Sequence, residues 1–436
     1  MDTNVSTRER FARIASPQEA EPSRTNDSAP APSGRLDHWL LTRALAALGH
    51  PPLTVVLWDG REISGSASGR NSRLVVRDRP ALWRLVWDPW FYFGELYAAG
   101  RLEVPDGLED LLTATYVAHQ QRQPTSNSLV RRVLRRARRA RRNSLSGSRR
   151  NIHHHYDIGN DFYKLWLDEQ LVYTCAYYAD PAMTLEEAQV AKLDHVCRKL
   201  GLQRGQHVLE AGCGWGALAL FMARHYGVTV KAFNISHEQI VHARQEAQRQ
   251  GLSERVQFVE ADWRTAGEPC DAFVSVGMLE HVGPENYREL GAAIDRCLKP
   301  AGRGLIHSIG QNRPGPTSSW IERRIFPGAY PPALREMVEI LEPHDFSVLD
   351  VENLRLHYAQ TLRHWLERFE QHVGTIGQMF DERFVRIWRL YLSGSMVAFQ
   401  TGGLQLFQIV FARGDDNRIP WTRAGIYSSD GEVPAW

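Results

Sequence analysis

The stretch "HVLEAGCGWG", His207 to Gly216, runs from apolar residues into an acid and then into three glycines at alternate positions. It reads as a strand entering a glycine turn, and "ALALFMARHYG" after it reads as a helix stopped at Gly227. Glycines at such a turn let the backbone approach a ligand closely, and the helix N-terminus offers amides with no partner in the chain. The pattern is ExGxGxG, whereas a dinucleotide fingerprint would be GxGxxG. An acid just ahead of the glycines suits S-adenosylmethionine, whose amino group it can meet and which has no pyrophosphate demanding a longer cradle.

Outward from this turn the strand–helix alternation continues. "VTVKAFNIS" is a second strand and "HEQIVHARQEAQRQGL" a helix; "VQFVEAD", "CDAFVSVG" and "GRGLIHSIG" are further strands, the last preceded by the helix "NYRELGAAIDRCLKPAG". "GLQLFQIVFAR" reads as a closing strand. Such alternation predicts an α/β fold built on a doubly wound, mostly parallel sheet of the class I S-adenosylmethionine methyltransferase type. The second strand ends at Asn234, where a polar side chain can reach ribose hydroxyls, although many methyltransferases carry an acid there. The third ends "EADWR", which puts Asp262 and Trp263 where an adenine would lie.

Upstream, residues 1–35 are rich in Pro, Ser, Ala and charge and read as a disordered tail. Residues 36–119 read as a small α+β domain with a hairpin-like start turning at Asp59-Gly60. Residues 120–150 form a basic linker, 151–415 the catalytic domain and 416–436 a C-terminal tail. Within the linker, eight arginines fall among the twelve positions from Arg131 to Arg142, at spacing that suits a basic amphipathic helix. A solvated linker, a nucleic acid and a membrane are the competing explanations of that run. The chain as a whole carries 52 basic and 50 acidic side chains, so the arginines are a local patch on a nearly neutral protein, which argues against a dedicated nucleic-acid binder.

No apolar run approaches the roughly 18 residues of a membrane span, and the N-terminal stretch has no apolar segment of the signal-peptide kind. Five cysteines with no CxxC pair suggest neither a disulfide framework nor a zinc site, so a reducing cytoplasm is the expected home. "HHH" at 153–155 invites a metal reading, but no second ligand set accompanies it, and no metal is expected.

The segment after the fourth strand usually meets the methyl acceptor. It reads "GMLEHVGPENY" rather than an NPPY-like turn, so base methylation loses support. Glu280 and His281 lie at the carboxyl edge of the sheet, where doubly wound folds bind ligands, and His307 ends the next strand. His281 has an even claim to orienting a helix start.

Taken together, "HYDIGNDFYKLWLD", "YTCAYY", "VLEAGCGWG", "NISHEQ", "MLEHVGPENY", "IHSIG", "RRIFPGAYPP" and "HYAQTLRHWLERF" resemble the cyclopropane-fatty-acyl-phospholipid synthase family, which includes mycolic acid cyclopropane synthases. "DPWFYFGELYAAGRLEV" resembles that family's N-terminal domain. The resemblance implies transfer of a methylene from S-adenosylmethionine to a cis double bond of a phospholipid acyl chain, with bound bicarbonate as the base. It implies Cys175 and Ile309 through their backbones, and Glu280, His307 and Tyr358 through their side chains, as the residues that hold the bicarbonate. Cofactor contacts carried over are Tyr173, Thr174, Glu210, Gly212, Gly214, Gly216, Asn234, Ile235, Ser236, Gln239, Trp263 and Arg264, to which the strand-end reading adds Asp262. Tyr358 as a core aromatic, His307 as a core histidine and Cys175 as packing are the structural alternatives.

An alkene is a poor nucleophile, so the reaction needs a dry slot, aromatic faces for a developing carbocation, and a base for the proton lost on ring closure. Ser395 stands where the family often has a cysteine, so no covalent cysteine mechanism runs through that position. A lipid C-methyltransferase making a mid-chain methyl or methylene branch is the alternative product class. A small-molecule methyltransferase and a non-catalytic binding protein are further alternatives. A homodimer is implied only by the resemblance. The phospholipid substrate favours the membrane reading of Arg131 to Arg142: a peripheral enzyme on the cytoplasmic face.

Overall fold

The computed structural model describes residues 31–66, 72–121, 158–316 and 318–427. Most of the N-terminal tail, the arginine run and the three consecutive histidines lie outside the described residues.

The chain divides into two compact units, and the division is not linear. The first joins the N-terminal residues to two later segments, Ser318–Ile325 and Leu366–Gly403. Its sheet has the order β2-β1-β3-β4, built from β1 (Leu53–Val56), β2 (Glu62–Ser64), β3 (Ser72–Val76) and β4 (Leu102–Glu103). β1 and β2 are antiparallel around the Asp59-Gly60 turn, where Gly60 takes a positive φ of 82°. Helix Leu108–Gln121 and helix Pro89–Ala98 both pack on helix Glu382–Gln400.

The sequence placed those later segments in a continuous 151–415 domain. Side chains invisible to linear reading bind them to the first unit instead. Arg386 lays its guanidinium 4.2 Å from the Tyr97 ring and donates to the carbonyls of Tyr97 (2.5 Å) and Leu102 (2.8 Å). Arg324 makes a fork of 2.8 and 2.7 Å to Glu95. The Trp320 indole fills the space beside Gly94, where a Cβ would lie 2.3 Å from its Nε1.

The second unit holds a seven-stranded sheet of order β10-β11-β9-β8-β5-β6-β7. Its strands are β5 (His207–Ala211), β6 (Thr229–Asn234), β7 (Val256–Glu260), β8 (Cys270–Val276), β9 (Leu298–Gly310), β10 (Phe346–Asn353) and β11 (Gln405–Arg413). The pairs among β5 to β9 are parallel, and only β11 runs against its two neighbours. The expected doubly wound, mostly parallel sheet is present. Central strands are largely apolar and buried on both faces, as β8 shows, where every residue but Asp271 is buried. Crossovers leave β5 toward β6 but leave β8 toward β9, so the carboxyl ends of β5 and β8 frame the crevice where such folds bind ligands.

Helix Leu185–Leu200 is set by its ends. Thr184 and Glu187 form a reciprocal capping box, and Gly201 closes the other end at φ 63°. The described part of the tail is not loose. Arg423 donates to Asp350 at 2.6 Å and the Tyr427 hydroxyl to Glu352 at 3.3 Å.

Gly304 on β9 is covered by the ring of its cross-strand partner Phe411, 2.1 Å from where a Cβ would stand. Gly304→Ala should therefore destabilise the second unit by about 1–3 kcal/mol, read as a lower urea midpoint with an unchanged slope.

Candidate active site

The glycine turn is built by backbone conformations that side chains disfavour. Gly212, Gly214 and Gly216 have φ of 88°, 54° and 94°. Their roles differ. A Cβ on Gly214 would meet nothing within 4 Å, so its backbone faces open space. A Cβ on Gly216 would stand 2.7 Å from the Phe258 ring and 2.9 Å from Ala243, so Gly216 brings helix and sheet together.

The cavity above this turn is lined by Tyr173, Thr174, Glu210, Gly212, Gly214, Asn234, Ile235, Gln239, Asp262, Trp263 and Arg264, bringing together eleven positions singled out from the sequence. Gly216 and Ser236 do not line it. The first is a packing glycine, and the second is buried at the start of helix His237–Arg249.

Several lining groups are already committed. The Asn234 amide donates to Gln239 Oε1 (2.8 Å) and the Gly214 carbonyl (3.2 Å), while its oxygen accepts from the Ile235 and Ser236 amides. Asn234 therefore ties the glycine turn to the next loop. Arg264 stacks over Trp263 at 4.4 Å and is held by Asp262 and Glu289, which fixes the indole as one wall.

Glu210 is different. It is buried, its Oε2 has no hydrogen-bond partner, and burial pushes its carboxyl up to about 8 against the pull of Lys192. An unpaired carboxyl oxygen at the cavity is what the amino group of S-adenosylmethionine requires. Lys192, which the sequence reading missed, also lines the cavity. It is buried, donates to Thr174 Oγ1 at 3.1 Å, and burial lowers it to about 8. Its position in a helix of ordinary amphipathic composition gave no signal; only the fold turns it inward.

The residues expected to do chemistry are not part of the cavity lining. Cys175, Glu280, His307 and Tyr358 are all buried. Glu280 accepts the Ile309 amide at 2.6 Å through Oε1, while Oε2 has no partner. Burial raises this carboxyl to about 7, with the Ile309 amide and Ser308 opposing. His307 is paired through Nδ1 to Gln408 at 3.0 Å, its Nε2 has no partner, and burial holds it well below its ordinary value, hence neutral.

Of the Ile309 backbone, expected to hold an anion, the amide donates to Glu280 and so positions that carboxyl. The Cys175 thiol donates to the Ala176 carbonyl at 3.1 Å and burial pushes its pKa far up, so it is no nucleophile. His281 lines the cavity itself, edge-on to Phe326 at 5.9 Å, and burial lowers it to about 4.

An aromatic array joins the two regions. Trp215 on the glycine turn meets Tyr163 at 5.1 Å; Tyr163 meets Tyr173 at 5.5 Å; Tyr173 meets Trp365 at 5.3 Å; and Trp365 meets Tyr358 at 5.9 Å. Among the described residues no cluster of His, Cys, Asp or Glu could hold a metal ion.

The sequence profile described as mycolic acid cyclopropane synthetase matches residues 143–409. The chain belongs to this family. It is an S-adenosylmethionine-dependent methyltransferase of the kind that forms cyclopropane rings or methyl branches in lipids. A probable fatty acid methyltransferase of Pseudomonas putida is 33% identical over 406 residues, covering 89% of this chain and 99% of that one. The cyclopropane-fatty-acyl-phospholipid synthase of Escherichia coli K12 is 42% identical over 266 residues, covering 61% and 68%. Among solved structures, the mycolic acid cyclopropane synthase CmaA1, complexed with SAH and CTAB, superposes with a TM-score of 0.58 at 32% identity, covering 60% of this chain and 97% of that one.

Two measurements probe this site. Lys192→Met should weaken S-adenosylhomocysteine binding about tenfold or more by calorimetry, as loss of a buried charged partner does. Binding of 5′-methylthioadenosine, which lacks the carboxylate, should be nearly unchanged. For Glu280, the folded protein retains a proton that the unfolded chain has lost between the ordinary value of 4.5 and about 7. Stability conferred by the neutral carboxyl is thus full below that window and lost as pH rises through it. Glu280→Gln should flatten the fall across the window, measured by denaturant unfolding at a series of pH values.

Proposed function

We propose that this protein is a cyclopropane-fatty-acyl-phospholipid synthase, which sets a methylene across a cis double bond of a phospholipid acyl chain, with bicarbonate as the base. One observation carries the reading: Glu280 Oε2 and His307 Nε2 are buried polar atoms without partners. Glu280 precedes His281, and the His307 carbonyl accepts the Gly277 amide; both His281 and Gly277 line the cofactor cavity. Buried polar groups are rarely left unsatisfied, so a pair of them suits a small polar ligand. A neutral His307 and a Glu280 that still holds its proton below about pH 7 are both donors compatible with an anion.

S-adenosylmethionine would supply the methyl group, and bound bicarbonate would accept the proton released on ring closure. The chain's own tasks follow from its geometry. Glu210 offers a carboxyl oxygen and Lys192 an ammonium donor to the two ends of an amino acid moiety. Trp263, clamped by Arg264, walls the adenine side. Tyr173, Trp365 and Tyr358 exclude water and present aromatic faces to positive charge developing on the acyl chain. Glu280, His307, Tyr358 and the backbone at Cys175 would hold the bicarbonate, with Ile309 and Gln408 fixing Glu280 and His307 in place.

The second reading, a branch-forming lipid methyltransferase, is favoured by the relative named a probable fatty acid methyltransferase, which aligns over 89% of this chain. The deciding experiment incubates the protein with S-adenosylmethionine and vesicles of defined unsaturated phospholipid. The lipid should gain the mass of one CH2 group and show upfield cyclopropane protons by NMR. An equal mass gain with vinylidene protons would establish the branch former, and unchanged lipid would reject both. Glu280→Ala and His307→Ala should each lower turnover by about two orders of magnitude or more while leaving S-adenosylhomocysteine affinity nearly intact.

The reading makes the enzyme a homodimer peripheral to the cytoplasmic face of the membrane, docked through Arg131 to Arg142, with no nucleic-acid partner. No described helix is long and apolar enough to cross a membrane. Changing four of these arginines to Gln should lower activity on anionic vesicles but not on detergent-dispersed lipid.

A further inference from the structure

Two neighbouring helices of the first unit expose an apolar stripe that the reaction site does not use. Helix Arg35–Ala47 buries Asp37, Leu41 and Leu45 and turns Leu36 and Trp39 outward, 52% and 53% exposed. Helix Arg79–Trp87 buries Ala81, Leu82 and Leu85 and turns Trp83 and Trp87 outward, 49% and 85% exposed. Asp37 joins them, accepting from the Arg79 guanidinium and, at 3.1 Å, from the Trp83 indole. Three tryptophans and a leucine held outward on two linked helices are more than scattered surface apolar residues account for.

The charges around this stripe have one sign. The two helices carry four arginines, Arg35, Arg43, Arg79 and Arg84, and a single acid, Asp37, which is fully buried and paired with Arg79. The acids flanking the second helix are also turned to other work. Asp78 is paired with Arg101 and caps the Ala81 amide, and Asp88 caps the Phe91 amide. Arg43 lies over the Trp39 ring at 5.0 Å, so cation and indole share one spot.

Indoles with an apolar body and one N–H donor, flanked by arginines whose stems can lie along apolar surface, match the boundary between headgroups and acyl chains. The surplus of arginine selects an anionic surface. We propose that this two-helix face docks the protein onto anionic lipid bilayers, with Trp39 and Trp87 inserted at headgroup depth. The inference rests on the reading of the substrate as a bilayer lipid, but it locates contact on residues other than the arginine run.

The test is flotation of the full chain with vesicles of phosphatidylcholine alone or mixed with phosphatidylglycerol, with no S-adenosylmethionine present, so that it succeeds or fails independently of the product assay. Wild type should float with the anionic vesicles, and its tryptophan emission should be quenched by brominated lipid. Trp39→Ser with Trp87→Ser should reduce flotation on the order of tenfold with the arginine run intact and S-adenosylhomocysteine affinity retained. Unchanged flotation of that variant overturns the proposal. So does a smaller particle by sedimentation velocity with flotation unchanged, which would assign the face to a second copy of the chain. Should the variant fold poorly, absence of quenching in the wild type is equally decisive.

Discussion

Everything at the active site depends on one constraint. β5 must stop at Ala211 so that the chain can turn through Gly212, Gly214 and Gly216 with positive φ at each. That turn leaves backbone rather than side chains facing the cavity at Gly214, and at Gly216 it lets a helix pack against Phe258 with no Cβ between them. Because the crossovers from β5 and β8 diverge, the turn opens into the crevice between the carboxyl ends of these two strands. A ligand there meets Glu210 from β5, Gly277 and Met278 from beyond β8, and Lys192 from the helix alongside.

A second principle governs the titratable groups of the site. Burial is carried nearly to completion there, and it sets the protonation of each group. It keeps His307 and His281 neutral, raises Glu280 and Glu210, and removes the Cys175 thiol from nucleophilic chemistry. The aromatic array runs unbroken from Trp215 on the cofactor turn to the buried Tyr358. Direct transfer to carbon needs no protein nucleophile, consistent with serine at position 395.

Much of this was legible from residue order alone. The ExGxGxG turn, the strand-end positions Asn234 and Asp262, and the motif residues from Tyr173 to Gln239 belong to local patterns, and eleven of them converge on one cavity. What was not legible involves contacts between residues far apart in the chain. Lys192 sits in a helix whose pattern marks a buried face without saying what that face meets. Ile309 spends its amide on a carboxylate 29 positions away. Gln408 reaches His307 across 101 positions because β11 pairs antiparallel with β9.

By itself, then, the sequence determined the doubly wound sheet, the cofactor turn and the kind of chemistry, because strand period, glycine spacing and motif order are properties of contiguous residues. Tertiary structure decided which glycine faces the cavity and which one packs, and which amide braces Glu280. It also decided that Ser318–Ile325 and Leu366–Gly403 join the N-terminal unit. Those outcomes depend on which side chains meet. Arg386 finding the Tyr97 and Leu102 carbonyls, or Trp320 filling the space over Gly94, is a matter of proximity in space that no spacing along the chain encodes.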